Sequence, residues 1–213
     1  MSYDQENFKG AGVLLVCMVS GTPSVILIYS KEKQAWEEPG GGYEKHLPIC
    51  NTAYKELFEE TAKLINIPAT TIRQYPYIDT ITKKKQLVYR LFIVNVTFSH
   101  SFQKRNVVDA LRRKFHSNLV CLLQNPETPG EYLESTDISF VPLKLFNNIQ
   151  PVVPKRVCAN KLVPSGEKKR FYIELPCGKK TIITKRLKKI MKHEKFSDAL
   201  VMSFTKTKPI EIY

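Results

Sequence analysis

Several things are scarce or missing in this chain of 213 residues. It has no apolar run of about 18 residues or more, and the opening MSYDQENFKG does not pass from a basic to an apolar to a small-residue stretch. Neither a membrane span nor a secretory signal is therefore expected. The five cysteines (Cys17, Cys50, Cys121, Cys158 and Cys177) are odd in number and form no CxxC pair, which speaks against a disulfide framework and against zinc. That usage fits a reducing compartment, the cytoplasm in the first place with the nucleus left open. The four histidines are equally dispersed, so no Cys/His nucleophile or ligand cluster can be read from spacing. Acid is also short: 20 Asp and Glu stand against 33 Lys and Arg, a formal net charge of +13. A chain of this length suits one domain, here 1–213, with a basic elaboration at 155–195.

Against that deficit, one place concentrates acid. Trp36-Glu37-Glu38-Pro39-Gly40-Gly41-Gly42-Tyr43-Glu44 is a glycine-rich turn, and a helical pattern follows it. With Asn51 as N-cap, Ala53, Tyr54, Leu57, Phe58, Thr61 and Leu64 fall within an arc of about 140° and predict the buried face. Glu56, Glu59 and Glu60 fall together on the opposite side, because residues three and four apart are neighbours on a helix. Like charges at that spacing cost about 0.2–0.5 kcal/mol per pair. A hard divalent cation would relieve them, taking carboxylate oxygens and bridging to phosphates. An ordinary solvated face is the alternative.

The turn and the helix together resemble the signature of the Nudix hydrolases. With Gly41 as the start of the pattern, Lys55-Glu56-Leu57 and Glu59-Glu60 fall where its Arg-Glu-apolar and Glu-Glu elements belong, without a gap. Four positions depart. Leu47 stands where the first Glu belongs, Lys55 replaces the Arg, Ala62 the late Gly and Lys63 the last apolar residue. In the family that Glu and Arg brace the loop against the helix, so the brace is expected to be lost as a unit. The resemblance implies an α/β/α sandwich with a mixed sheet. It also implies Mg2+ or Mn2+ as cofactor, held by Glu56, Glu59, Glu60 and the carbonyl of Gly40, and a homodimer.

Other segments fit this frame. Residues 12–19 and 24–29 predict a hairpin buried on both faces, 87–98 a long strand, and 138–143 a late strand. Residues 107–118 predict an inserted helix, as a lid or as surface decoration. The Pro- and Gly-containing run 125–134 predicts a loop. Many Nudix enzymes draw a further carboxylate from that loop, and of Glu127, Glu131 and Glu134 the last is preferred. Glu59, Glu60 and Glu134 then compete as the proton acceptor. Trp36 and Tyr43 flank the turn and could stack on a base, although the core is the preferred place for Trp36.

Charge is regional. Residues 155–195 hold 14 Lys and Arg against Glu167, Glu174 and Glu194, a local net of +11. Within them, 170–175 and 181–184 predict a hairpin tipped by Lys179 and Lys180. Residues 185–196 predict one helix with Leu187, Ile190 and Met191 inward and Lys188, Lys189, Lys192 and Lys195 outward. A like-charged surface repels itself and is relieved by a polyanion, with RNA phosphate the first candidate and an anionic membrane surface or polyphosphate as alternatives. Lys179, Lys180, Lys188 and Lys192 are the expected contacts.

These features predict a metal-dependent pyrophosphohydrolase acting on a nucleoside diphosphate linked to another group, with capped RNA preferred. A small-nucleotide pyrophosphatase would use the same chemistry. An inactive Nudix-fold RNA-binding or scaffold protein is the reading from a different class.

Overall fold

The computed structural model describes residues 8–44, 46–81, 88–99, 106–152, 155–158, 161–164, 170–174 and 180–212. The predicted hairpin is there and is longer than expected. β1 (Phe8–Val19) and β2 (Thr22–Ser30) pair antiparallel with Val19 opposite Thr22. Ser20 and Gly21 alone make the turn, both at positive φ (48° and 75°), as a two-residue hairpin turn matched to strand twist requires. Next come β3 (Ala35–Glu37), β4 (Gly40–Gly42), α1 (Ile49–Glu60), the single-turn α2 (Ala69–Ile72), β5 (Tyr77–Ile81) and β6 (Val88–Phe98). The helix α3 (Val107–Gln124) and the strand β7 (Ser135–Pro142) follow. The C-terminal part adds β8 (Gln150–Val152), β9 (Lys155–Cys158), β10 (Lys161–Pro164), β11 (Arg170–Glu174), β12 (Lys180–Ile183), α4 (Lys185–Met191), α5 (Phe196–Thr205) and β13 (Ile210–Ile212).

Among the described residues eleven strands form one mixed sheet, ordered β13-β6-β1-β2-β3-β12-β11-β8, with β4 on β1, β5 on β6 and β7 on β2. β1 and β6 run parallel, β1 and β2 antiparallel. Successive strand residues point to opposite faces, and the sheet uses both. Ala11, Val13 and Leu15 of β1 join Phe92 and Val94 of β6 under Ala53 and Leu57 of α1 and Leu111 and Phe115 of α3. Leu14 and Val16, with Leu91 and Ile93, pack on the other face against Leu187 and Ile190 of α4 and Phe196 and Ala199 of α5. Each of the larger side chains, Val, Leu, Ile and Phe, contributes about 1.5–3 kcal/mol when fully buried. Two cores on one sheet make the α/β/α sandwich that the sequence predicts.

Four local expectations are corrected. Asn51 is not the N-cap of α1: the helix starts at Ile49 behind Pro48, whose fixed φ of −56° leads into the first turn without a side-chain cap. It also stops at Glu60, short of Leu64. Ala62 N–H bonds to Glu59 O (3.0 Å) and Lys63 N–H to Phe58 O (2.8 Å), with Ala62 and Lys63 at φ 53° and 59°. This is a Schellman closure, and Ala62 occupies the left-handed position that favours glycine. Helix α3 runs six residues beyond the expected Asn118, started by Asn106, whose side chain accepts from Val108 N–H. The expected single helix over 185–196 is two helices, broken at 192–195, where His193 N–H bonds back to Ile190 O and closes α4.

Candidate active site: an acidic floor under a basic rim

The glycine turn is pressed between two layers. Gly40, Gly41 and Gly42 of β4 pair with Gly12, Ala11 and Gly10 of β1. Behind them lies α1, so close that a methyl group built on Gly41 would collide with the Glu56 carboxylate. Gly40 donates its N–H to Glu60 Oε2 at 2.6 Å, which fixes the turn to the helix through a charge-assisted bond.

Glu56, Glu59 and Glu60 therefore do not lie on a freely solvated helix face. Glu59 is 8% and Glu60 5% exposed, and all three line one cleft of about 710 Å³. Burial pushes the Glu56 carboxyl up to about 7, helped by the charges of Glu59 and Glu134. Burial also raises Glu59 and, further, Glu60, against which the Gly40 N–H works. Glu131 and Glu134 join the same lining, the first within and the second just after a single 3-10 turn over Gly130–Leu133 that packs on α1 inside the expected loop. The Glu134 carbonyl accepts from Lys31 N–H at 2.9 Å, which ties that loop to the end of β2. Glu127 is not among the lining residues.

The brace expected to be lost has been rebuilt. Lys55 Nζ pairs with Glu44 Oε1, three residues ahead of Leu47, and lies 3.8 Å from Glu59 Oε1. A lysine reaches a carboxylate in the loop from a different position, so loop and helix remain joined.

The opposite rim is basic and comes from elsewhere in the chain. Lys9 lines the cleft from β1 and Lys33 from the turn between β2 and β3, and Lys185, Arg186 and Lys189 from α4. Arg186 is the keystone. Its guanidinium lies 3.3 Å from Glu37 Oε2 and 2.5 Å from Glu38 Oε1, donates to Glu38 O at 3.1 Å, and sits 4.9 Å from the Tyr89 ring centre. Glu37 and Glu38 are 1% and 0% exposed, and Lys33 adds a second contact to Glu37 at 2.7 Å. Burial raises the Glu38 carboxyl while Arg186 opposes the shift; the carboxylates and the neighbouring tyrosine hold Arg186 firmly charged.

The expected base-stacking and phosphate-binding residues are mostly elsewhere. Trp36 lies in β3 with its ring edge-on to Tyr29 at 5.4 Å and packs against the second core, not on the cleft lining. Tyr43 packs beside Phe8 at 6.2 Å, with its hydroxyl buried and unpaired. Lys180 opens β12 opposite Glu174, Lys188 covers the Phe171 ring at 3.8 Å, and Lys192 is exposed beyond the cleft. Lys179 lies outside the described residues. The sequence reading missed Lys9, Lys33, Lys185, Arg186 and Tyr89. One signal was available for Arg186: two adjacent glutamates in a strand ahead of Pro-Gly need a buried cation when the strand is covered on both faces.

Among the described residues no three acidic, histidine or cysteine side chains converge as a ready-made metal cage. The donor set nevertheless fits a hard divalent cation. It is all oxygen, it comes from the buried Glu59 and Glu60 and the half-buried Glu56, and an ion in the cleft would oppose the burial and neighbouring carboxylates that push the Glu56 carboxyl up.

No family profile and no curated protein matches the sequence. Among solved structures the chain is similar to a Caenorhabditis elegans Ap4A hydrolase, at 15% identity over 64% of this chain and 81% of that one with a TM-score of 0.36. It is similar to a MutT/nudix family protein from Enterococcus faecalis, at 12% identity over 92% and 66% with a TM-score of 0.41. A third likeness is to a pyrophosphohydrolase from Bacillus subtilis, at 15% identity over 70% and 73% with a TM-score of 0.37. These likenesses concern the backbone; the chemistry below rests on the side chains of the cleft.

Proposed function

We propose that the chain is a divalent-cation-dependent pyrophosphohydrolase of the Nudix type, acting on a nucleoside diphosphate linked to a further group, with capped RNA the preferred substrate. One observation carries this reading. A single cleft combines an acidic floor of Glu56, Glu59, Glu60, Glu131 and Glu134 with a basic rim of Lys9, Lys33, Lys185 and Lys189. A floor of carboxylates alone would repel phosphates, and a rim of lysines alone would merely bind them. Together they grip a pyrophosphate from two sides.

Glu56, Glu59 and Glu60 would hold Mg2+ or Mn2+ with the Gly40 carbonyl. Bound there, the cation supplies charge neutralisation of the phosphates and acidification of water. The protein's own groups do the rest. Lys185 and Lys189 draw the phosphate oxygens toward the floor. Water attacks phosphorus, the P–O–P bond opposite it breaks, and the departing phosphate leaves with the bridging oxygen. Glu59 and Glu134, which both line the cleft, are the candidates to take the proton from that water, whereas Glu60 already accepts from Gly40 and serves better as a fixed carboxylate.

The test is a hydrolysis panel of capped RNA, nucleoside triphosphates, dinucleoside polyphosphates and ADP-ribose with each cation, beside Glu60→Gln. We expect at least a hundredfold loss of kcat/KM in the variant on whichever substrate is turned over. Equal rates would assign the activity to a contaminant or to another site. Turnover of capped RNA is expected to fall more than tenfold between low and physiological salt, with little change for a free nucleotide. The reverse order would favour the small-nucleotide reading. Binding of RNA with no product from any substrate would favour an inactive RNA-binding protein.

A further inference from the structure

A second concavity lies beside the cleft, and nothing in the proposed hydrolysis uses it. It is a groove of about 560 Å³ between the segment 74–77 and helix α5, lined by Tyr75, Tyr77, Lys195, Met202 and Lys206, with Asp198 as its one carboxylate. Two large side chains that would normally be covered are open there: Tyr77 and Met202 are each 43% exposed. Lys195 and Lys206 are exposed as well.

The Tyr77 ring is held, not loose. The Arg90 guanidinium lies 3.8 Å from its centre and is itself fixed to Asp79 by two bonds of 2.8 and 2.7 Å, while Phe92 meets the ring edge-on at 6.0 Å. Tyr75 donates to Lys208 O at 2.5 Å and anchors the floor. A rigid aromatic surface beside flexible ammonium groups suits a base with its flanking phosphates, since stacking needs a preset plane and phosphates need only charge.

The groove and the cleft border the same strand. Strand β5, which among the described residues pairs only with β6, carries Thr80 in the cleft and Tyr77 in the groove, three residues or about 10 Å apart and on opposite faces, so a ligand passes from one to the other round its free edge. Helix α4 packs along one part of β5 and α5 along another, and Lys189 of α4 donates to Ile81 O at 2.8 Å. Residues 185–208 hold eight Lys and Arg against Glu194 and Asp198. Of these, Lys185 and Lys189 line the cleft and Lys195 and Lys206 the groove.

We infer that this groove is a subsite for single-stranded nucleic acid. A chain whose 5′ pyrophosphate end lies in the acidic cleft follows β5 past Lys189, seats a base against Tyr77 and turns its phosphates toward Lys195 and Lys206. The inference deepens the proposed hydrolase reading and rests on it for the position of the 5′ end.

Binding separates the two. Fluorescence anisotropy of full-length protein in buffer without divalent cations would compare a nucleoside triphosphate with 5′-triphosphorylated oligonucleotides of two to eight residues, as RNA and as DNA. We expect affinity to rise at least tenfold with length for one or both; their ratio identifies the natural ligand. Tyr77→Ala should remove at least fivefold of that gain and leave the nucleoside triphosphate unchanged, and Tyr77→Trp should restore it. Lys195→Glu with Lys206→Glu should remove more and flatten the salt dependence, with melting temperatures of all variants confirming that they fold. Affinity independent of length, or a Tyr77→Ala loss equal for both ligand types, would overturn the subsite. A polyglutamate peptide that binds as tightly as the oligonucleotide, with the same dependence on Tyr77, would also overturn it in favour of an acidic protein partner. Length dependence with no turnover would leave the subsite standing and remove the hydrolase reading. Turnover of mononucleotides with no length dependence would do the reverse.

Discussion

The wall of the cleft that carries Glu56, Glu59 and Glu60 is drawn from one stretch of chain, Gly40 to Glu60, and is tied to itself by a bond spanning 20 residues, whereas the basic wall at Lys185, Arg186 and Lys189 reaches it across 148 residues through Arg186 and Glu38. The first wall follows from local geometry. A glycine turn and a helix register are enough to bring carboxylates together. The second depends on the whole sheet, because β12 must pair with β3 before α4 can present Arg186 to Glu38. On the proposed reading, Glu56, Glu59 and Glu60 are specified nearby in sequence, whereas Lys185 and Lys189, which would retain a phosphate chain, are delivered from afar.

The sharpest way to break that comparison is to remove the link between the walls. Arg186→Met leaves Glu37 and Glu38 buried without their main counter-charge. Removing one partner of a buried ion pair costs about 3–5 kcal/mol, so urea denaturation at neutral pH should show a loss of that size. Adding Glu37→Gln and Glu38→Gln to Arg186→Met should recover most of it. If the single change costs less than about 1 kcal/mol, the walls are independent.

The next test concerns the acidic wall alone. The Glu56 carboxyl is raised in the fold from its ordinary 4.5 to about 7. A folded state that holds its proton more tightly than the unfolded chain is favoured at low pH. The stability penalty is absent below about pH 4.5, grows as pH rises, and is complete above about 7. With solvent screening allowed for, cation-free protein should lose about 2 kcal/mol across that window. Glu56→Gln should flatten this part of the profile, and so should saturating magnesium. An unchanged slope in the variant would locate the titration elsewhere.

Smaller effects sharpen the picture. Glu44→Gln removes the rebuilt brace, whose partners are 43% and 39% exposed, so it should cost only about 0.2–1 kcal/mol by thermal denaturation. Any larger kinetic effect would show that the Lys55–Glu44 pair positions Glu59 and does more than stabilise the loop. Smallest of all, Ala62→Gly should leave stability within about 0.5 kcal/mol. Relief of the left-handed φ is worth about 1 kcal/mol, and loss of a fully buried methyl costs about the same.

Legibility in the sequence followed the same division. The hairpin, the long strand, the late strand and the clustering of Glu56, Glu59 and Glu60 were readable because period-two and period-3.6 patterns are local. The start of α1 was misplaced because Asn51 is a good cap in general, while Pro48 begins the helix by fixing its own φ. Residues 192–195 were read as helix because no Gly or Pro marks the break; a backbone bond at His193 ends it instead. The identity of the cleft lysines was beyond any pattern. Lys185 and Lys189 face the carboxylates while Lys188, on the same helix, covers Phe171, and only the packing of α4 on the sheet decides between them.

The long reach from Glu38 to Arg186 also has a consequence in time. At synthesis rates of about 5–20 residues per second, the glutamate leaves the ribosome's decoding centre roughly 7–30 s before its arginine is made. Throughout that interval a nascent chain carries Glu37 and Glu38 without the guanidinium that secures them. A chain broken off before residue 186 therefore keeps two carboxyl groups that have lost their main counter-charge.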